Sequence, residues 1–289
     1  MGIKEIYPYL PEGIVSELSK IPAHDDICEI RMRSEKAVAV TIGGVQKSLS
    51  RIVTAGEVES AFNAVCRQSV HSYAREISEG FVVLRGGHRV GLCGTAVISS
   101  DGIETVRYIS GLNFRVCTER KGSADVIVKR VFSGKPVSVL IAGAPLSAKT
   151  TVLRDLCRQL GNRTGVCVID ERGEIAAAYK GVSSNDVGRF TDVFNGYPRY
   201  DGMTTALRVM SPEYIAVDEI GTEKDADAIM SCMHGGAHII ATAHAESTDE
   251  LYRRPQIKRL IENGVFSYII FLGNRENIGR VMEIREVRI

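Results

Sequence analysis

The segment 137–160 restricts the fold more than any other. An apolar run, VSVLIAG, empties into GAPLSAKTT and then into an amphipathic stretch, VLRDLCRQL. A buried strand that turns through a Gly- and Pro-containing loop into a helix is the context in which backbone amides cradle phosphate. Loop amides and the helix N-terminus bind phosphate oxygens, a lysine adds charge beside the β and γ phosphates, and the next hydroxyl ligates Mg²⁺. The expected nucleotide-binding residues are Gly143, Ala144, Pro145, Leu146, Ser147, Ala148, Lys149, Thr150 and Thr151, with ATP and Mg²⁺ as ligands. Lys149 supplies the charge and Thr150 a metal ligand. The pattern GxxxxGK[ST] fails at one position, where Ala148 stands in place of the second glycine. Two consequences stay open. If the position needs left-handed dihedrals, a Cβ costs about 1–2 kcal/mol, about ten- to thirtyfold in affinity, and binding survives. If the methyl meets the phosphate the loss is far larger, because glycine there also permits close backbone approach.

Downstream, apolar runs alternate with amphipathic stretches: VCVID, YIAVDEI, AIMSCMHGG, AHIIATAH, STDELYRRPQIKRLIEN and SYIIFL. Such alternation predicts an α/β core with a mainly parallel sheet over 137–289. Ligands of open α/β sheets bind at the C-terminal ends of strands, so residues there are the candidates for chemistry. YIAV ends in Asp218 and Glu219, a Walker B arrangement, against the alternative of two acids that start a loop or cap the next helix. Asp218 is expected in the Mg²⁺ shell, and Glu219 is expected to orient or deprotonate the attacking water. VCVI ends in Asp170 and Glu171, expected beside the same phosphate, with Glu171 the second candidate for the base. HIIATA ends in His244, whose imidazole either senses the γ-phosphate or makes a structural hydrogen bond. The transferring phosphate also needs a cation, often from a neighbouring subunit. Arg115, Arg120, Arg172, Arg189 and Arg208 are available, and Arg115 and Arg120 are named for the role.

Residues 1–117 read differently. A helical period over 10–21 precedes DICEIRMRS and AVAVTI, which read as strands before a Gly43-Gly44 turn. Thr54 and Glu57 form a capping box ahead of a helix on which Val58, Phe62 and Val65 recur. A second helix is expected over 69–77. FVVLR, HRVGLCGTAVI and ETVRYI then alternate as antiparallel strands joined at Gly86-Gly87 and Asp101-Gly102. These features predict a smaller α+β N-terminal domain, joined to the core by a basic connecting segment, 118–136. The stretch 107–135 holds Arg107, Arg115, Arg120, Lys121, Lys129, Arg130 and Lys135 against Glu119 and Asp125, a candidate for phosphate contact.

Net charge narrows the partners. Lys+Arg 36 against Asp+Glu 35 leaves +1, so overall charge gives no drive toward nucleic acid or anionic lipid. No apolar run approaches the roughly eighteen residues of a membrane span, and MGIKEIYPYLPEG lacks the apolar core of a signal peptide. A cytoplasmic chain without a direct membrane span is expected. The seven cysteines are scattered without a CxxC pair and are read as reduced, mostly buried small hydrophobes.

The run SVHSYAREISEGFVVLRGGHRVGLCGTAV, followed by SGLNFRV, GAPLSAKTTVLRDLCR, VCVIDERGEIA, YIAVDEIG and IIATAH, resembles the stage III sporulation protein AA family along nearly the whole chain. Members are AAA+/RecA-like P-loop ATPases related to the motor ATPases of type II and type IV secretion and pili. The resemblance implies a homo-oligomer, a hexameric ring, partnered with membrane-embedded sporulation channel proteins. It also implies a mother-cell role in energising or assembling the channel to the engulfed forespore. Carried over, Lys149 and Thr150 match Walker A, Asp218 and Glu219 match Walker B, Glu171 resembles the acidic box of secretion ATPases and His244 their histidine box. The chain departs from GPPGSGKTT at Ala144, Leu146 and Ala148, and Thr222 stands where arginine is common. Three readings follow. One is a motor whose nucleotide handling the altered loop weakens, and the second is a non-hydrolysing scaffold of the same fold. The third, with least support, is a nucleic-acid-dependent ATPase, since no RNA-binding signature accompanies the basic stretch.

Overall fold

Period-2 alternation builds the first of two units, Met1–Glu119. The computed structural model describes residues 2–22, 24–100, 102–117, 120–178, 181–274 and 277–287, the side chains of Asp25, His71 and Arg75 excepted. Asp101 of the expected hairpin turn and Glu119 of the basic stretch lie outside them. Helix α1 (Glu12–Ser19) precedes strands β1 (Ile27–Arg33), β2 (Lys36–Ile42) and β3 (Val45–Val53). Helices α2 (Ala55–Val65) and α3 (Ala74–Ser78) follow, then β4 (Phe81–Val83), β5 (Arg89–Ser99) and β6 (Gly102–Arg115). The strands form one antiparallel sheet ordered β3-β2-β1-β6-β5-β4. Ile30, Met32, Val40, Val90 and Phe114 point to the face that Ile14, Leu18, Val58 and Phe62 cover.

Local signals in this unit behave as their chemistry dictates. The capping box forms: Thr54 accepts the Glu57 N–H, and the Glu57 carboxylate accepts the Thr54 N–H. The second helix expected over 69–77 is shorter and divided, a 3₁₀ turn at Val70–Tyr73 running into α3. Tight i→i+3 turns suit such a segment because a sustained helical apolar stripe is missing, with Ile77 its buried anchor. His88, fully buried, accepts the Cys117 N–H on Nδ1 at 3.0 Å and faces Glu5 with Nε2 at 2.9 Å, which ties both ends of the unit to β5. Burial pushes its imidazole below the ordinary value.

The second unit, Arg120–Ile289, is a doubly covered sheet. Its elements are α4 (Asp125–Val131), β7 (Val139–Gly143), α5 (Lys149–Gly161), β8 (Val166–Asp170), β9 (Thr191–Asn195) and α6 (Arg199–Met210). They continue with β10 (Tyr214–Val217), α7 (Glu223–His234), β11 (His238–His244), α8 (Thr248–Tyr252), α9 (Pro255–Glu262), β12 (Tyr268–Leu272) and β13 (Val281–Glu286). The order is β13-β12-β7-β11-β10-β8-β9, parallel except for β13. Alternate strand residues feed opposite cores: Val139, Ile141, Val168 and Ala216 pack with α4 and α5, while Leu140, Ala142, Ile169 and Val217 pack with α6, α7 and α9.

The connecting segment expected at 118–136 is not a separate linker. Its described part belongs to the second unit, and α4 buries Ile127, Val128 and Val131 in the core shared with α5. The basic residues at 120–135 ride on the outside of a packed helix and its flanks. Because β7 sits between β11 and β12, the chain leaves it in one direction for β8 and returns past it for β12. The crevice at the C-terminal end of such a reversing strand is where open α/β sheets bind ligands. Among the described residues no helix is long and apolar enough to cross a membrane.

Candidate functional site

Strand β7 ends at Gly143, where the loop folds back so tightly that a Cβ would meet the Ser147 side chain. A larger residue there would have to displace the Ser147 hydroxyl. Leu146 and Ala148 both adopt left-handed dihedrals, each with φ of 65°. The left-handed case for Ala148 is thus the one the structure adopts, and Leu146 adds a second Cβ in the same region. The methyl of Ala148 packs beside Gly279 in the β12–β13 connection, whose N–H donates to Ser147 O at 3.2 Å. Leu146 points outward, 82% exposed. Helix α5 starts with no side chain capping its first amides, which leaves them to an anion.

Two side chains at the head of α5 reach the neighbouring strand ends. The Lys149 ammonium donates to Gly143 O at 2.9 Å and Ala144 O at 2.7 Å, and lies 3.0 Å from His244 Nδ1 at the end of β11. Burial lowers its pKa, with Asp218 and Glu219 pulling the other way. Thr150 Oγ1 donates to Asp218 Oδ2 at 2.7 Å. Thr242, a fully buried hydroxyl in the apolar run of β11, donates to Asp218 Oδ1 and accepts the Glu219 N–H at 2.7 Å. That bond helps hold Glu219 in its own left-handed turn, φ 58°. Glu219 Oε1 lies 3.3 Å from His244 Nε2, and its Oε2 accepts from Arg172 at 3.0 Å. Burial lowers the His244 pKa, and the Lys149 charge lowers it further.

Several sequence candidates are occupied elsewhere. The Asp170 carboxylate is engaged by its own following segment: it accepts the N–H groups of Glu174, Ile175 and Ala176. Glu171 pairs with Arg199 at 2.9 Å, and Arg199, 14% exposed, also donates to Asp218 O at 3.0 Å. Thr222, in the place where an arginine was looked for, caps α7 in a reciprocal box with Asp225. Arg115 is an exposed residue of β6 in the first unit, and Arg120, also exposed, opens the second. Arg189 stacks on Phe190, and Arg208 is exposed near the end of α6. The arginines the geometry does bring among the strand-end acids are Arg172 and Arg199. A polar residue inside an apolar strand was a readable signal for Thr242, whereas Arg199 carries none, since its partners lie just after β8, just after β10 and in α7.

Mg²⁺ fits this arrangement. A hydroxyl and a carboxylate oxygen already converge from Thr150 and Asp218, and Mg²⁺ typically takes only one or two protein ligands, with substrate phosphates and water completing its shell. Among the described residues no group of three or more His, Cys, Asp or Glu could hold a metal ion by itself.

The loop has a direct test. Leu146→Gly and Ala148→Gly each remove a left-handed Cβ, so each is expected to stabilise the chain by about 1 kcal/mol net of the greater unfolded-state entropy of glycine. Thermal melting checks this, and an unchanged melting temperature in the double variant would show that the loop is not strained at these positions.

A reversing parallel strand, a strand-to-helix loop and acids at the adjacent strand ends define a RecA-like P-loop fold. Among solved structures the chain is similar to the ATPase DotB of Legionella pneumophila, with 17% identity and a TM-score of 0.62 over 91% of this chain and 76% of that one. It is also similar to the pilus retraction motor PilT, with 16% identity and a TM-score of 0.64 over 91% and 77%. The family model for sporulation stage III, protein AA, matches residues 4–288. Stage III sporulation protein AA of Bacillus subtilis (strain 168) is 33% identical over 292 residues, 98% of this chain and 94% of that protein. The chain belongs to the sporulation stage III, protein AA family.

Proposed function

We propose that this protein binds ATP with Mg²⁺ at the 143–151 loop and hydrolyses it. The observation that carries the reading is the convergence of Lys149, Thr150, Asp218, Glu219 and His244 from three neighbouring elements onto one strand-end crevice. Lys149 and the α5 amides bind the phosphates, Thr150 and Asp218 hold the metal, and Glu219 orients water for in-line attack. When bound, Mg²⁺ neutralises charge that develops between the β and γ phosphates. His244 links the phosphate end of the site to Glu219. Arg115 and Arg120 are assigned to phosphate contact across a subunit boundary, in a hexameric ring of this chain. By family, the ring serves the mother cell in energising or assembling the channel to the forespore, docked on membrane-embedded channel proteins.

A second reading, a nucleotide-poor scaffold of the same complex, is favoured by one observation: two loop positions with left-handed φ carry side chains. Titration with a fluorescent ATP analogue, with and without Mg²⁺, separates the two when phosphate release is assayed in the same samples. The motor reading expects Mg²⁺-dependent binding with turnover, and a loss of affinity of tenfold or more in Lys149→Ala, since charge-assisted bonds contribute about 1.5–3 kcal/mol. No binding at millimolar ATP would establish the scaffold.

A further inference from the structure

The nucleotide-free site satisfies itself. An ammonium has three donors, and those of Lys149 are matched by three acceptors: Gly143 O, Ala144 O and His244 Nδ1. A lysine only donates, so Nδ1 of His244 accepts, and the ring proton sits on Nε2, facing Glu219 Oε1. The other oxygen of Glu219 is bound by Arg172. Four side chains from four elements thus form one chain of contacts: Lys149, His244, Glu219, Arg172.

The restraints on Glu219 decide what this chain of contacts does. Arg172 donates to Oε2 at 3.0 Å and His244 Nε2 faces Oε1 at 3.3 Å, so both carboxylate oxygens are engaged by protein donors. Held this way, the carboxylate is oriented by its two partners and not by a water. Arg172 is itself 57% exposed, so its hold is made in solvent and is of the strength of a surface ion pair, which a modest change in the site can undo.

Resting on the ATPase reading, we infer that Arg172 is a positioning residue that withholds Glu219 from water, and that the Lys149–His244 contact makes its release depend on bound phosphate. A phosphate oxygen that binds Lys149 must displace one of its three acceptors. The His244 contact yields because a side chain can rotate where backbone carbonyls at a strand end cannot. Freed from Lys149, the ring turns, Glu219 loses one of its two restraints, and the exposed bond to Arg172 becomes the last one.

Two measurements on the full chain test this. Arg172→Ala is expected to raise kcat two- to fivefold, the range of an exposed ion pair, with an unchanged Kd for the fluorescent ATP analogue. Arg172→Lys, which keeps the charge, is expected to stay within twofold of wild type. A fall in kcat for Arg172→Ala, or no change, overturns the withholding role. Independently of turnover, long-range ¹H–¹⁵N NMR of His244 should show the Nε2–H tautomer in nucleotide-free protein. Its Nδ1 resonance should move on addition of Mg²⁺ and a non-hydrolysable ATP analogue, and in the same direction in nucleotide-free Lys149→Ala. An Nδ1–H tautomer, or a resonance indifferent to nucleotide, overturns the relay. Absence of phosphate release from every variant, with the His244 response present, defeats the hydrolytic reading and supports the relay.

Discussion

Glu219→Gln is expected to lower single-turnover phosphate release by about 100- to 10,000-fold at saturating Mg²⁺ and ATP, while the affinity for the nucleotide stays within about twofold. The amide is isosteric with the carboxylate and keeps the backbone turn at φ 58°, with its N–H on Thr242. What it loses is the capacity to accept a proton from water. Glu171→Gln, by contrast, costs less than about tenfold, because the Glu171 carboxylate is committed to Arg199 at 2.9 Å and stands one strand away from the Thr150–Asp218 pair. Rapid-quench assays on both variants assign the base. If Glu171→Gln proves the inactive one, the base lies at the end of β8; if both turn over like wild type, neither carboxylate activates water.

That comparison rests on features of unequal legibility in the sequence. The strand-to-helix loop at 143–151 and the acids at strand ends were readable because each is a local pattern: an apolar run that gives way to a Gly- and Pro-containing loop, or to an acid at the first position beyond it. The parallel core was readable for the same reason. Strands β3 and β13 were hidden because VQKSLSRIV and VMEIRE do not alternate: both are mostly exposed, and the half-buried residues of β13, Val281 and Ile284, lie three apart. Helix α6 was harder. Gly202 interrupts its propensity, and the glycine is there because a Cβ would meet Ile169 Cγ2 at 2.6 Å as the helix packs on β8. Strand β9 hides because it is a largely polar edge, with Phe194 its one buried side chain.

The side-chain network is of another kind. Which acid meets which arginine depends on β8 lying next to β10, and β10 next to β11, an order that no window of sequence encodes. Asp170 and Glu171 look equivalent to Asp218 and Glu219 as strings, and the strand order makes them different. The β10 acids share the crevice with the phosphate loop through Thr150 and His244, whereas the β8 acids turn toward their own following segment and Arg199. The two departures in the loop, Leu146 and Ala148, could be noticed in the sequence, but only the backbone shows that both occupy left-handed positions.

The position of Asp170 leads to the second large effect, on stability and not on nucleotide. Asp170→Ala is expected to destabilise the chain by about 3–5 kcal/mol. Its carboxylate accepts three amides, from Glu174, Ile175 and Ala176, and leaving a buried N–H unpaired costs about 1–3 kcal/mol each. Water cannot replace it readily, since Ile175 and Ala176 are fully buried. The same turn is held from its carbonyl side by Arg154, which donates to Ile175 O at 2.9 Å and to Glu174 O, and by Asn185, which donates to Ile175 O at 2.7 Å. Those bonds fix the segment in place, so the orphaned amides cannot turn away to find other partners. Calorimetry should show a fall in melting temperature of roughly 6–20 °C for a unit of this size. Burial raises the Asp170 pKa above its ordinary value although the three amides oppose it, so the carboxyl binds its proton more tightly folded than unfolded. The proton-linked increment of stability, added to that of the amide bonds, is therefore fully present below the unfolded value and is lost as pH rises through the folded one. Asp170→Asn, which does not ionise, removes that slope and retains one acceptor, so it should lie between wild type and Asp170→Ala at neutral pH. Below its melting transition Asp170→Ala should still bind the ATP analogue as wild type does, and a loss of binding without a loss of stability would return Asp170 to the phosphate site.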